Sequence, residues 1–311
     1  MRVYMVTRNK TLTRLGVNWF KPAMSLPINI DLKRVERAFA SVPENYVIPF
    51  ARAWRHRELI RAVVRREYLS RFSGSMLGWV WAILSPLSML VTYTVLFYMT
   101  LPQLAGGMSV SEYAGSIFIG LIVFNLFSEL AYRAPVLLHE HANFVKRSIF
   151  PSETIAWTAT ARAFTYAGVA FGVFIAFRLI TGGSIPWTIV LSPFIIIPFG
   201  LFMLGVTWFL MALGAFTRDV AHVMATIVPV LMYATPIFYR NQQIAELSPI
   251  TAIILRLNII GDYVEMFRDI ALVGRLPNLF AYVIVVGLSY AVFLGGYKFF
   301  MRYKSVIVDV I

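Results

Sequence analysis

The sequence predicts an all-α polytopic membrane protein, and three observations carry that prediction. Hydrophobic residues make up 59% of the 311 and charged residues only 14%, where soluble domains carry about 25% charged. Mean hydropathy is +0.72, and the apolar residues fall in long blocks rather than 3.6-residue stripes, as they do in helices that face lipid. The basic residues are also lopsided, with fifteen of the twenty-eight Lys and Arg inside residues 1–73, ahead of the first apolar block. A net charge of +13 could suit nucleic acid. Clustered before a membrane span, it is accounted for by anionic lipid at the cytoplasmic face, and no nucleic-acid partner is expected. There is no cysteine, which excludes disulfides and thiolate metal sites.

Residues 1–50 are basic and punctuated by Pro22, Pro27, Pro43 and Pro49. They read as a cytoplasmic N-terminal extension with one short helix near 32–40, and with no apolar run of signal-peptide length. Residues 51–73 predict an interfacial amphipathic helix. Arg57, Arg61 and Arg65 recur four apart on one face, with Leu59, Ile60 and Val63 on the other. A solvated helix of a small soluble domain is the alternative, and direct attachment to a span favours the membrane surface. Arg71 closes this helix ahead of a hinge at Gly74–Ser75 and Gly78.

Residues 74–311 form the transmembrane domain. Six transmembrane helices are expected near 77–100, 114–135, 155–180, 187–215, 221–239 and 279–301, each with about the 20 residues needed to cross the hydrocarbon. The third and fourth are longer and tilt or extend past the lipid. Loops 101–112 and 181–186 carry no Lys or Arg, whereas the turn near 139–153 carries Lys146 and Arg147, the next carries Arg218, and the tail carries Lys298, Arg302 and Lys304. By the positive-inside rule both termini are cytoplasmic. Residues 240–278 fit no simple loop. Their apolar part is too short to span, and re-entrant half-helices between the fifth and sixth spans are the expected form, with a folded external cap as the alternative.

Ionisable residues inside spans mark structure or function. Glu129 and Arg133 stand four apart in the second span and are expected to pair. Arg162 in the third needs a carboxylate, Glu129 or Glu153. A structural or gating ion-pair network is favoured over a proton relay. His139 and His141 flank Glu140 without the H-E-x-x-H spacing or a third ligand nearby, so no metal site is expected. No cluster of Asp, Glu and His gathers at one face as a membrane-embedded glycosyl or acyl transferase would need, and no repeat relates the two halves as in many secondary transporters. No G-x-x-x-x-G-K-[ST] phosphate loop occurs, so the chain binds no ATP by that device.

Four ordered stretches carry a family resemblance. Arg71, Gly74, Ser75, Leu77, Gly78, Trp81 and Pro86 resemble the entry into the first membrane helix of ABC-2 type permeases that export polysaccharides and polyol phosphates (O-antigen, capsule, teichoic acid). Asn143, Phe144, Val145, Lys146, Arg147, Phe150 and Pro151 resemble that family's short cytoplasmic coupling helix, although any basic loop would satisfy the positive-inside rule. Arg218–Asp219–Val220 followed by Thr235, Pro236, Ile237, Phe238 and Tyr239 is similar to the family's fifth span, and the tail from Tyr303 to Ile311 to its ending. Two departures stand out: residues 1–50 precede the usual start, and the frequent Asn-Pro after the outer half-helix is Asn258–Ile259.

The resemblance implies the membrane subunit of an ATP-driven exporter of lipid-linked polysaccharide in the bacterial inner membrane. It implies no catalytic residue and no cofactor in this chain, with ATP and Mg held by two copies of a separate P-loop ATPase, and a homodimer of this subunit. A drug or another lipid as cargo is the alternative. Tyr93, Phe97, Tyr98, Tyr233, Phe238 and Tyr239 are expected to line the substrate pathway, packing and interface anchoring being the competing account of membrane aromatics.

Overall fold

Among the described residues (49–71, 74–100, 107–142, 151–239 and 257–311) the computed structural model consists of helices joined by short turns. In chain order these are α1 (Pro49–Arg55), α2 (Arg57–Arg71), α3 (Trp81–Thr100), α4 (Val110–Arg133), α5 (Leu137–Glu140), α6 (Glu153–Ile180), α7 (Ser192–Phe216), α8 (Asp219–Ala234), α9 (Ile259–Arg268) and α10 (Leu279–Val310). The expected helix near 32–40, the coupling residues 143–150 and the first part of the 240–278 segment lie outside the described residues.

Five stretches are long and apolar enough to cross a membrane: Gly78–Met99, Val110–Glu140, Glu153–Ile180, Trp187–Phe216 and Leu279–Ile307. The protein is a multi-pass membrane protein. The expected span near 221–239 is shorter than predicted, because its helix, α8, stops at Ala234 after 16 residues. The cause lies in the backbone. Pro236 drives the residue before it out of the helical region, and Thr235 sits at ψ 136°. Its hydroxyl turns back to the Leu231 carbonyl at 2.7 Å.

Helix α4 is the centre of the bundle: 15 of its 24 residues are buried, against 11 of 28 in α6. A capping box starts it, with the Glu112 N–H donating to Ser109 Oγ at 3.3 Å and the Ser109 N–H donating to Glu112 Oε2 at 3.0 Å. Helices α7 and α10 meet at glycines. A side chain on Gly205 would collide with the Val292 carbonyl, and one on Gly296 with the Gly205 carbonyl. Small residues at such crossings let membrane helices approach closely. Trp208 then fills the lower seam, its ring 5.5 Å from Phe293 and 5.0 Å from Tyr297.

Helix α9 has ten residues, too few to span, and most of them are buried. Its Tyr263 ring lies 4.6 Å from Phe199 of α7, and its hydroxyl is 2.6 Å from Ser289 Oγ. Ser289 is about 15 Å along α10 from the start of that helix, so α9 lies deep among the spans.

The single interfacial helix expected over 51–73 is divided into α1 and α2 by a turn at the buried His56. Arg52 of α1 pairs with Glu153 at the start of α6, and Glu67 of α2 pairs with Arg162 further along it. These anchors are about 14 Å apart along α6 but would be about 22 Å apart on one unbroken helix, so the bend reconciles them. Beyond α2, Gly74 and Gly78 adopt φ of 84° and 51°, the left-handed conformation that glycine tolerates. The Trp81 indole N–H donates to Ser75 Oγ at 3.0 Å across that turn.

Candidate functional site

At the arginine-rich end of the bundle, charges from four elements converge. Arg162, its side chain 4% exposed, holds Glu67 at 2.8 Å and Glu129 at 3.3 Å. Arg71 approaches Glu129 at 3.6 Å and lies over the Tyr166 ring, 4.3 Å from its centroid. Tyr166 in turn stacks on Tyr68 at 5.4 Å. The pair expected between Glu129 and Arg133 does not form. Arg133 turns toward the chain that leaves α4 and pairs with Glu140 at 2.9 Å, freeing Glu129 to face α2 and α6. Of the two carboxylates considered for Arg162, Glu129 is the one it meets. Glu153 is committed elsewhere, to Arg52 and, at 2.7 Å, to Lys304.

His141 joins the network from the root of the 143–150 segment. Its Nδ1 is 2.9 Å from the Leu137 carbonyl and its Nε2 is 3.8 Å from Glu67. With an acceptor at each ring nitrogen, the doubly protonated imidazolium is favoured. The Glu67 carboxylate beside the ring therefore raises the His141 pKa, and the same contact holds the Glu67 carboxyl below its ordinary value. His139 is taken up by the Gly214 carbonyl at 3.2 Å. Among the described residues no three His, Cys, Asp or Glu gather as metal ligands. The charged side chains wall a polar chamber of about 550 Å³. Arg71, Glu129 and Tyr166 also border an apolar cavity of about 290 Å³ among α3, α4 and α6.

Both roots of the 143–150 segment are thus tied to the N-terminal helix pair. His141, before it, faces Glu67 of α2. Glu153, after it, is held by Arg52 of α1, and its backbone carbonyl accepts the Trp208 indole N–H at 3.0 Å. Pro151 is half-buried at that second root, and the Thr154 N–H donates to its carbonyl at 2.8 Å.

The opposite end of the bundle is organised by Arg268, 1% exposed, in α9. Its guanidinium donates to the carbonyls of Pro236 at 2.6 Å, Ile237 at 2.5 Å, Tyr239 at 3.3 Å and Ser116 at 3.2 Å, and to Glu265 Oε1 at 3.0 Å. These bonds fix residues 235–239, the irregular backbone that follows α8. The Tyr113 hydroxyl adds a bond to the Phe238 carbonyl at 2.9 Å. Asn258 Nδ2 reaches Thr235 Oγ1 at 2.9 Å, and its Oδ1 caps α9 through the Ile260 and Gly261 N–H groups at 3.1 and 3.2 Å. Two glycines make room: a Cβ on Gly120 would meet Ile237 Cα at 3.2 Å, and one on Gly261 would meet Pro236 Cδ at 2.8 Å.

The six aromatic residues read from the sequence do gather here. Phe97 stacks on Phe238 at 4.2 Å, and Tyr93 and Tyr233 lie 5.3 and 6.3 Å from the same ring. Tyr98 sits 6.1 Å from Tyr113, and the Tyr239 hydroxyl donates to the Tyr233 carbonyl at 3.0 Å. Phe238 is 3% exposed and Tyr233 63%, so within one chain Phe238 is a packed hub and Tyr233 presents an open face. Arg57, Arg61, Arg65 and Arg71 are all exposed.

Sequence reasoning missed Arg268, although it left a signal. Arg268 falls four residues after Val264, on the stripe that otherwise buries α9, where a cation must find acceptors. It also missed Glu67, which shares a helix face with Arg71 at i, i+4. Arg52 and Lys304 gave no signal, since their partner is about 100 or more residues away in sequence.

The sequence also matches known proteins. The family model described as ABC-2 type transporter matches residues 58–272. The chain is 22% identical over 225 residues to the O-antigen export system permease protein RfbA of Myxococcus xanthus, covering 72% of this chain and 84% of that protein. It is 23% identical over 221 residues to the protein of the same name from Klebsiella pneumoniae, covering 70% and 82% respectively.

Proposed function

The chain belongs to the ABC-2 type transporter family, and on that premise we propose that it is the permease subunit of an ATP-driven exporter of lipid-linked polysaccharide. The observation that carries the reading is the similarity to O-antigen export permeases over more than two thirds of the chain. ABC-2 permeases work with a partner ATPase. Here two ATPase copies, holding ATP and Mg, serve a homodimer in the bacterial inner membrane, with both termini cytoplasmic. In this reading α8 and residues 235–239 complete a sixth crossing, α9 is the returning half of a re-entrant pair, and α1–α2 lie at the cytoplasmic interface.

The coupling residues Asn143, Phe144, Val145, Lys146, Arg147, Phe150 and Pro151 take the stroke of the ATPase. Arg52 and Glu67 hold the two roots of that segment, so its displacement carries α1 and α2 with it. Glu67 passes the motion to Arg162 and Glu129, at the polar chamber. At the outer end, Tyr233 offers the aromatic face on which sugar rings slide, backed by Tyr93, Phe97, Tyr98, Phe238 and Tyr239.

The test is export of surface polysaccharide by the native host of this permease. Phe144→Asp with Val145→Asp puts charge into an apolar socket at a cost of several kcal/mol. The expected outcome is loss of surface polymer, accumulation of lipid-linked polymer inside, and loss of ATPase co-purification at normal permease levels. Unchanged surface polymer in a permease deletion would overturn the cargo assignment.

A further inference from the structure

Helix α2 presents different chemistry on two sides. Toward α4 it meets the polar chamber, where three guanidiniums face three carboxylates. On another side, together with α1 and α6, it borders an open groove of about 860 Å³ whose lining includes three arginines and no carboxylate. The floor is apolar, formed by Phe50, Ile60, Val64, Trp157 and Ala161. Phe50 is 45% exposed there, and its ring lies 5.8 Å from that of Trp157. Arg57, Arg61 and Arg65 form the rim, one helical turn and about 6 Å apart. Arg57 is steadied by its bond to the Trp54 carbonyl at 3.2 Å and by the Trp54 ring, 5.2 Å from its guanidinium carbon. Arg61 and Arg65 are exposed and form no ion pair among the described residues.

We infer that this groove is a binding site for an anionic diacyl phospholipid, with the acyl chains on the apolar floor and the headgroup phosphate on the Arg57, Arg61 and Arg65 rim. Three features of the site select this occupant. The rim is cationic without a compensating acid, so it complements a phosphate and repels a cationic headgroup. The floor continues along α6, where the exposed Thr165, Gly168, Gly172 and Ala176 follow Trp157 and Ala161 at helical spacing and leave that face to lipid. The volume falls within the roughly 300–1,000 Å³ of small-molecule sites, and an aromatic-lined apolar floor beneath a polar rim matches the water–bilayer boundary. The balanced charges on the chamber side of α2 lack this preference, because each arginine there already has a carboxylate. The inference rests on the membrane setting and not on the identity of the cargo.

The test reconstitutes the full chain in nanodiscs of phosphatidylcholine containing a minority of phosphatidylglycerol, then counts phosphatidylglycerol retained per protein by mass spectrometry after gentle detergent extraction. Each arginine near an anionic lipid is worth about fivefold in affinity. Arg61→Gln with Arg65→Gln should therefore lower retention by about twenty-five-fold, and Ala161→Trp, which fills the floor and leaves the charge intact, should abolish it. Lys298→Gln with Arg302→Gln removes the same charge from exposed positions on α10 and should change nothing. Equal loss in that control would reduce the effect to bulk charge and overturn the site. Full retention in both groove variants would do the same. Retained lipid in both groove variants, with their purification from host membranes losing a protein that wild type brings down, would make the groove a protein interface and also refute the lipid assignment. Bound lipid is read without transport, so either result leaves the export reading standing.

Discussion

Glu129, near one end of α4, sits among charges that come in pairs, whereas Ser116, near the other, shares its carbonyl with Arg268. About 20 Å of helix separates the two. At the Glu129 end, Arg162 divides itself between Glu67 and Glu129, and Glu129 is also approached by Arg71. These contacts border a chamber of about 550 Å³, where partners can exchange and water can replace a lost contact. At the Ser116 end, one cation donates to the carbonyls of Ser116, Pro236, Ile237 and Tyr239 and to the Glu265 carboxylate. Carbonyls cannot leave or titrate, and Arg268 is 1% exposed. The contrast separates two uses of arginine: ion pairs make a joint that can be remade, and a guanidinium on fixed carbonyls holds irregular backbone in one shape.

The sharpest break in that comparison comes from Arg268→Met. It leaves several buried carbonyls without donors, each costing roughly 1–3 kcal/mol, and frees residues 235–239. The expected result is little folded protein in the membrane, measured by fluorescence-detected size-exclusion chromatography. Normal yield would remove the clamp from the account. Next in size is Glu153→Gln, which strands Arg52 and Lys304. Removal of one member of a buried pair costs about 3–5 kcal/mol, and partial exposure of Lys304 brings the expected loss toward about 2–3 kcal/mol in thermal unfolding. A stability equal to wild type would mean that the root of the 143–150 segment is held by packing alone.

A smaller effect should follow pH. Because the folded state raises the His141 pKa, its contribution is full below the ordinary value of 6.5 and is lost as pH rises through the raised folded value. Glu67 behaves oppositely: its contribution is full above the ordinary 4.5 and is lost as pH falls through the lowered folded value. The link is therefore strongest between the two folded values. Thermal stability compared between wild type and His141→Gln should differ most in mild acid, between the ordinary values of 4.5 and 6.5, and converge in alkali. A difference independent of pH would show that the histidine acts by shape. The smallest effect belongs to Arg133→Glu with Glu140→Arg, a swap within an exposed pair that should change stability by less than about 1 kcal/mol. No analogous swap exists for Arg268, whose partners are mostly backbone.

Much of this protein could be read before its structure. The hinge at Gly74 and Gly78, the exposed arginine stripe of α2 and the shared face of Tyr93 and Phe97 follow from local spacing, which fixes what lies on one helical face. Arg133 could not be assigned in the same way. Its i, i+4 relation to Glu129 permits a pair, but once Arg162 and Arg71 arrive from other helices Glu129 is occupied, and Arg133 finds Glu140 across the turn after α4. The length of α8 was legible only in part: hydropathy carries the apolar run through to Tyr239, but Pro236 ends the helix five residues earlier. That proline was present in the sequence, and what it permits depends on Arg268 being there to satisfy the carbonyls it frees.

Apolar blocks about 20 residues long, a basic segment ahead of the first of them and the motifs of an ABC-2 permease were determined by the sequence itself, because each depends only on residue type and spacing along one chain. The tertiary structure alone decided which carboxylate each arginine meets, that α1 and α2 grip both roots of the 143–150 segment, and that the buried Arg268 guanidinium, with Tyr113 and Asn258, holds residues 235–239. Those outcomes depend on contacts between residues up to about 150 positions apart. A buried charge takes whichever acceptor the packed helices bring within reach, and that choice is made only when the helices meet.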